Sequence, residues 1–521
     1  MITRRHLLTG GAATAALLAT APVSVASAAP ARLHRDVVTR DVFTLGVASG
    51  DPLPDSVVLW TRLAPDPRNG GGMPPRRFPV EWEIAEDERF RRVVERGTEL
   101  ATPDFGHSVH AEPRGLRPAA SYFYRFRVGG QISPVGRTRT AAARRSSPQR
   151  LRLAFASCQD FQAGFYSAYR GMAAEDVDLV VHLGDYIYED GPQPSGVRQH
   201  DGPEVDGLAS YRNRHALYRS DPDLRAVHAA HPFVVTWDDH EVDNNYAADI
   251  PENADGPSQG SREAFRQRRA NAYQAYYEHL PLRRAQLPTG PDLRLFRRLG
   301  FGDLVELSVL DTRQYRTDQP CGDGLGVRCA AALDPAATMT GPEQERWLLD
   351  GLGRSRARWN VIGQQTMLAE YDFLAGPGEL FNLDQWDGYV AARNRILAFL
   401  DQRRPSNPIV LTGDIHSSWV HDLKTDFADP ASRTVGTEFI GTSISSDFPA
   451  QFIAPVTAAL PDNPHTKFFD GALRGYVRCD ITPQQWTSTF RVVDTALVPG
   501  APTRTLATFA VENGRPGAQL A

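Results

Sequence analysis

Side chains able to hold a metal ion follow four short apolar runs spread over about half of the chain. Leu-Ala-Phe-Ala-Ser-Cys-Gln-Asp ends at Cys158 and Asp160. Leu-Val-Val-His-Leu-Gly-Asp-Tyr-Ile-Tyr-Glu carries Asp185 and Tyr188. Val-Val-Thr-Trp-Asp-Asp-His-Glu-Val-Asp-Asn-Asn runs through Asp239 and His240 to Asn244 and Asn245. Ile-Val-Leu-Thr-Gly-Asp-Ile-His carries Asp414 and His416. An apolar run that breaks into polar residues reads as a buried strand opening into a site loop at its C-terminal end. Thiol, phenol, carboxylates, amide and imidazole on one face point to more than one metal ion.

Each segment also has a plainer reading. Cys158 alone reads more readily as a small buried hydrophobe than as a ligand. Beside Tyr188 it gains meaning, because thiolate and phenolate are anionic donors suited to trivalent iron. Asp185 could be a helix-capping residue beside core tyrosines, or a carboxylate that bridges two ions. The run from Asp238 to Asn245 could be a solvated loop, but burying it without partners would be costly. Asp414 and His416, two residues apart, lie on the same side of an extended segment. Arg268 and Arg269 share a helix with Tyr273, Tyr276 and Tyr277; they read as a solvated cationic face or as a bidentate phosphate clamp.

These segments need a scaffold. From about Asp41 to Thr140 the chain reads as all-β, with strands at Val57–Leu63, Phe78–Ile84 and Ser121–Val128. This predicts an immunoglobulin- or fibronectin-like β-sandwich. A linker rich in Ala, Arg and Ser follows at 141–149. From Leu151 strands alternate with helices, predicted at Tyr211–Leu217, Arg262–His279, Pro342–Gly351 and Trp386–Gln402. That pattern predicts a layered α/β domain over about 150–500. After Ser488–Val492 a loose polar tail is expected.

The length of 521 residues implies more than one domain. With 41% hydrophobic and 23% charged residues and a net charge of −5, no basic run calls for a nucleic-acid partner. Residues 1–28, with Arg4-Arg5, an apolar stretch and Ala26-Ser27-Ala28, read as a twin-arginine signal peptide; an ordinary secretory signal is the alternative. Either predicts a secreted protein, and no later apolar run is long enough for a transmembrane anchor. Cys321 and Cys329 bracket a Gly-rich loop and suit a disulfide, Cys479 an inert buried thiol.

Ser-Cys-Gln, Gly-Asp-Tyr-Ile-Tyr-Glu, Trp-Asp-Asp-His-Glu-Val-Asp-Asn-Asn-Tyr and Gly-Asp-Ile-His-Ser resemble the alkaline phosphatase D family, from about Val42 to Val493. The resemblance implies a metallophosphoesterase fold: two sheets packed between helices, preceded by the immunoglobulin-like domain. It implies Fe3+ on Cys158, Asp185, Tyr188 and His416. It implies Ca2+ on Asp185, Asp414 and an amide of the Asn244–Asn245 pair. Asp239, where the wider superfamily carries Asn, is a further metal candidate. His240 would assist the phosphate or leaving group, and Arg268 would contact phosphate. The expected activity is hydrolysis of phosphate mono- or diesters by a metal-activated hydroxide. The substrate would be a small molecule, a cell-wall polymer or a phospholipid, and the twin-arginine export machinery would be a partner. The alternatives are a phospholipase D forming phosphatidic acid, and a cell-wall or lipid-binding protein with a structural metal site.

Overall fold

The computed structural model describes residues 40–252 and 261–521. Residues 1–28, read above as a signal peptide, lie outside the described residues.

Two sheets stack face to face. The larger has ten strands. Its centre is the parallel set Leu151–Ala156, Leu179–His182 and Pro232–Val235. The second sheet has seven strands. Its centre is the parallel set Val305–Val309, Trp359–Gly363, Pro408–Thr412 and Thr434–Ile440. Alternation assigns the faces. Leu153 and Phe155 point into the core between the sheets, against Leu307, Val361 and Leu411. Ala154 and Ala156 face the other way, into a core shared with Tyr169, Tyr211, Leu224 and Tyr276. Those four residues belong to helices Ser167–Ala174, Leu208–Arg219, Pro222–Ala230 and Arg262–His279. Helices Gly341–Arg354 and Val390–Arg403 cover the outer face of the second sheet through Leu348, Leu352, Ile396 and Leu400.

The N-terminal β-region is joined to this frame by a ladder. Strand Val47–Leu53 pairs in parallel with Pro232–Val235, and Ser56–Arg62 and Ser108–Ala111 extend the ten-stranded sheet beyond it. The facing sheet, of five strands, includes Phe78–Ala85, Val93–Ala101 and Ser121–Val128.

Helix Arg262–His279 has its predicted bounds, and Ser261 caps it by accepting from the Ala264 amide. Helix Pro222–Ala230 went unpredicted although its signals are explicit: Asp221 caps it and Pro222 opens it. The expectation of a loose tail is corrected. Thr503–Glu512 and Arg515–Leu520 form a hairpin on the edge of the ten-stranded sheet. Asn513-Gly514 is the turn, and Phe509, Val511 and Ala518 are buried between the sheets. Cys321 and Cys329 form a disulfide, while Cys158 and Cys479 are free and buried. Among the described residues no helix is long and apolar enough to cross a membrane.

Candidate metal centre

The two sheets bring the C-terminal ends of their parallel strands together, and the four ligand segments leave from those ends. The Cys158 and Gln159 amides donate to the carbonyls of Gly184 and Asp185, so the first two loops run side by side. Glu241 ties the second loop to the third: its carboxylate accepts from the amides of Asp185, Tyr186 and Asp238. Gly184 permits this approach, because a Cβ there would lie 2.5 Å from that of Asp238. Four of the candidate ligand residues take left-handed backbone: φ is 58° at Cys158, 55° at Asp185, 64° at Asp414 and 56° at His416. Each costs on the order of 1–2 kcal/mol with a side chain present. Backbone strain of this kind concentrates at functional sites.

One half of the site mixes sulfur, nitrogen and oxygen. A Cys158 sulfur, an Asp185 oxygen and a His416 nitrogen lie within 4.8 Å of one another. The Tyr188 hydroxyl joins them, 3.1 Å from Asp185 Oδ2 and 3.2 Å from His416 Nε2. His416 Nδ1 lies 3.0 Å from the Asp447 carbonyl. A carbonyl only accepts, so Nδ1 carries the proton and the Nε2 lone pair faces the cluster. Burial pushes Cys158 well above the ordinary thiol value, and the Asp185 charge adds to it. Tyr188 is raised by burial, then by Asp185 and Cys158. Asp185 is raised by burial and by the charges of Asp239, Glu241 and Asp414, against the opposing pull of His240. Such a set resists ionisation on its own, and a bound cation reverses that preference. Asp185 Oδ1 and Asp238 Oδ2 are buried and accept no hydrogen bond, and Asp239 Oδ1 has only the Arg313 guanidinium, 3.3 Å away. Buried carboxylate oxygens require partners, so this donor set fits a metal.

The other half is oxygen alone. Asp185, Asp238 and Asp239 offer oxygens within 4.8 Å of one another. Asp414 adds a carboxylate that accepts from Arg313 at 3.1 Å and Gln385 at 2.8 Å. Burial raises Asp414 to about 6 despite Arg313. Asp239 is held down at about 2, because Arg313 and His240 outweigh its burial.

His240 lies beside both halves. Its Nδ1 is 2.8 Å from Glu189 Oε2, and its ring lies 4.1 Å from that of Tyr188. Burial opposes its protonation, yet Glu189, Asp185 and Asp239 hold it well above the ordinary histidine value.

Two expectations change. Arg268 is not among the cluster side chains. Its guanidinium pairs with Asp243 at 3.0 Å and Glu204 at 2.8 Å and bonds the Tyr211 hydroxyl, so its charge is already matched. Arg269 is turned to the carbonyls of Ala248 and Pro291. Asn244 reaches the cluster through its backbone, whose amide donates to Glu189 Oε1 at 2.8 Å, while its side-chain amide donates to Glu252. Asn245 binds Asp239 Oδ2 through its amide, 2.6 Å away. Cys158, Asp185, Tyr188, Asp239, His240, Asp414 and His416 are brought together. Sequence reasoning passed over Glu189, Glu241, Arg313, Asp384 and Gln385. Glu189 and Glu241 stood inside recognised motifs, as acids directly after Tyr188 and His240.

A model of the PhoD-like phosphatase family matches residues 153–490, and one of that family's N-terminal domain matches 27–142. Alkaline phosphatase D of Bacillus subtilis (strain 168) is 50% identical over 481 residues, covering 91% of this chain and 82% of that protein. A solved structure of PhoD superposes with a TM-score of 0.89 at 49% identity, over 93% of this chain and 92% of that one. A purple acid phosphatase from yellow lupin seeds aligns over 90% of this chain and 73% of its own with a TM-score of 0.53, at 12% identity, which is a likeness of fold alone. The chain belongs to the PhoD-like phosphatase family and is a phosphoric ester hydrolase of metallophosphoesterase fold.

Proposed function

We propose an exported phosphoesterase that cleaves soluble phosphate mono- and diesters at an Fe3+/Ca2+ pair. Iron is assigned to Cys158, Asp185, Tyr188 and His416. Calcium is assigned to Asp185, Asp239 and Asp414, beside the Asn244–Asn245 turn. One observation carries this reading: thiol, phenol and imidazole meet at Asp185, which is also grouped with Asp238 and Asp239 and has one oxygen, Oδ1, that accepts no hydrogen bond. Anionic thiolate and phenolate donors suit trivalent iron, and an all-oxygen set suits calcium. When bound, the ions supply positive charge that acidifies water and neutralises charge on the phosphoryl oxygens.

The protein side chains do the rest. Glu189 fixes the His240 ring and its tautomer, leaving Nε2 to carry a proton to the leaving-group oxygen. The Tyr188 ring limits how far that imidazole can turn. A phospholipid substrate would need a broad apolar rim, but Phe381 is buried and Phe373 packs against Tyr371. Leu374, 38% exposed, is a small remainder. Export by the twin-arginine route rests on Arg4-Arg5 and the small-residue stretch after them.

The test is metal analysis of native protein together with its absorption spectrum. Iron with a visible charge-transfer band is expected, and calcium chelation should abolish turnover of a nitrophenyl phosphate ester while leaving most of the colour. Active protein containing zinc and no iron would overturn the assignment.

A further inference from the structure

One buried arginine at the centre of several ion pairs is absent from the ligand assignment. Arg313 is fully buried, on the loop that follows strand Val305–Val309. Its Nε binds Asp238, Nη1 binds Asp384 at 2.9 Å, and Nη2 lies 3.1 Å from Asp414 and 3.3 Å from Asp239. Asp238 and Asp239 follow a strand of the ten-stranded sheet, and Asp414 follows one of the seven-stranded sheet. One side chain thus pins the acidic groups of both sheets. Arg316 shares Asp384 at 2.6 Å, and Gln319 donates to that carboxylate as well. Each guanidinium nitrogen of Arg313 already faces a carboxylate, so its charge is directed at the aspartates.

We propose that Arg313 is the fixed counter-ion of the metal centre: it holds Asp238, Asp239 and Asp414 assembled while the calcium position is empty, so calcium can leave and return to a preformed site. The inference rests on the Fe3+/Ca2+ reading above. Four carboxylates face two guanidinium groups here. Two of these carboxylates are left without a guanidinium counterpart, and Asp185, grouped with Asp238 and Asp239, adds another acidic side chain, so the set still favours a cation. Without Arg313, Asp238, Asp239 and Asp414 would be buried and mutually repelling with no guanidinium partner, which is a costly arrangement. A planar fork with five donors can serve several carboxylates at once, whereas an ammonium group cannot match that geometry. Arg313 is therefore a positioning residue, acting on the carboxylates and not on substrate.

The experiment compares thermal unfolding of the full chain as wild type, Arg313→Met and Arg313→Met/Asp238→Asn, each stripped of calcium and then supplied with calcium chloride. The stripped wild type should keep its fold. Stripped Arg313→Met should melt lower by on the order of 5 °C. Calcium should recover more of that loss than it adds to wild type, and Asp238→Asn should recover part of it without calcium, because one repelling charge is gone. If Arg313→Met is insoluble, return of soluble protein on adding Asp238→Asn is the same test, and failure to return counts against the proposal. An equal loss with and without calcium, with no recovery by Asp238→Asn, would show a packing role and overturn it. If calcium moves no variant, wild type included, while Asp238→Asn still rescues, the calcium assignment fails and the counter-ion role stands.

Discussion

Glu189→Gln isolates the contribution of one buried charge to the chemistry. The carboxylate makes two measured contacts, 2.8 Å to His240 Nδ1 and 2.8 Å to the Asn244 amide. Glutamine preserves the shape, and its carbonyl can keep the Asn244 bond. Its amide nitrogen then meets Nδ1 as a donor, which leaves His240 neutral and a weaker acid. A hydrogen bond to a charged group is worth about 1.5–3 kcal/mol. That corresponds to about a 10- to 150-fold loss of kcat, at about 1.4 kcal/mol per decade. Orienting groups behind a functional histidine cost a comparable factor when removed. The pH dependence carries a sign. Burial lowers the His240 pKa, but Glu189, Asp185 and Asp239 raise it well above normal. Removing one of those charges lowers it, so the alkaline limb of activity should move to lower pH. The interaction stabilises the fold fully below the unfolded histidine pKa of about 6.5 and loses that effect as pH rises through the higher folded value. The stability gap between wild type and Glu189→Gln should therefore close at high pH. The assay is kcat and KM on a nitrophenyl phosphate ester, with metal content per chain, for Glu189→Gln, His240→Ala and the double variant. If Glu189 acts through His240, the double variant should be no slower than His240→Ala. Multiplying losses would refute the argument, and so would loss of metal from Glu189→Gln.

Asp185→Asn should strip both ions and Cys158→Ala chiefly iron, because Asp185 belongs to both ligand groups and Cys158 to one; metal analysis of each variant decides, and Asp185→Asn retaining both ions would end the bridging role. Cys321→Ser opens a loop with a sequence separation of 8, worth about 2–3 kcal/mol in the chain-entropy model, so melting should fall while turnover of folded enzyme holds. Thiol titration of the denatured, unreduced wild type should find the two free cysteines, Cys158 and Cys479. Phe509→Ala should cost about 3–5 kcal/mol in urea unfolding, because that side chain of the C-terminal hairpin is buried between the sheets; a loss typical of an exposed site would mean that the tail is loose after all.

What could be read from the sequence followed from locality. A ligand segment announces itself within ten or so residues, because the buried strand and its polar end are contiguous. Cys158, Asp185 and Asp414 could therefore be found. The helix Arg262–His279 was legible for the same reason, with its serine cap and unbroken helical composition. The C-terminal hairpin was locally legible too, since Asn513-Gly514 between alternating residues is a turn signal; polarity was given too much weight. Arg268 and Arg313 fail differently. Both are arginines near acids, and nothing adjacent in sequence tells them apart. The fold does: Arg268 is matched by Asp243 and Glu204, and Arg313 by four aspartates from three separate segments of the chain. Charge matching over such separations is a property of topology. The backbone repeats the lesson, for left-handed φ at Cys158, Asp185, Asp414 and His416 would locally favour glycine. The chain instead places the candidate metal-binding side chains there, Asp185 directly after Gly184 and Asp414 directly after Gly413. Local preference and global need conflict at these positions, and the conflict marks the site.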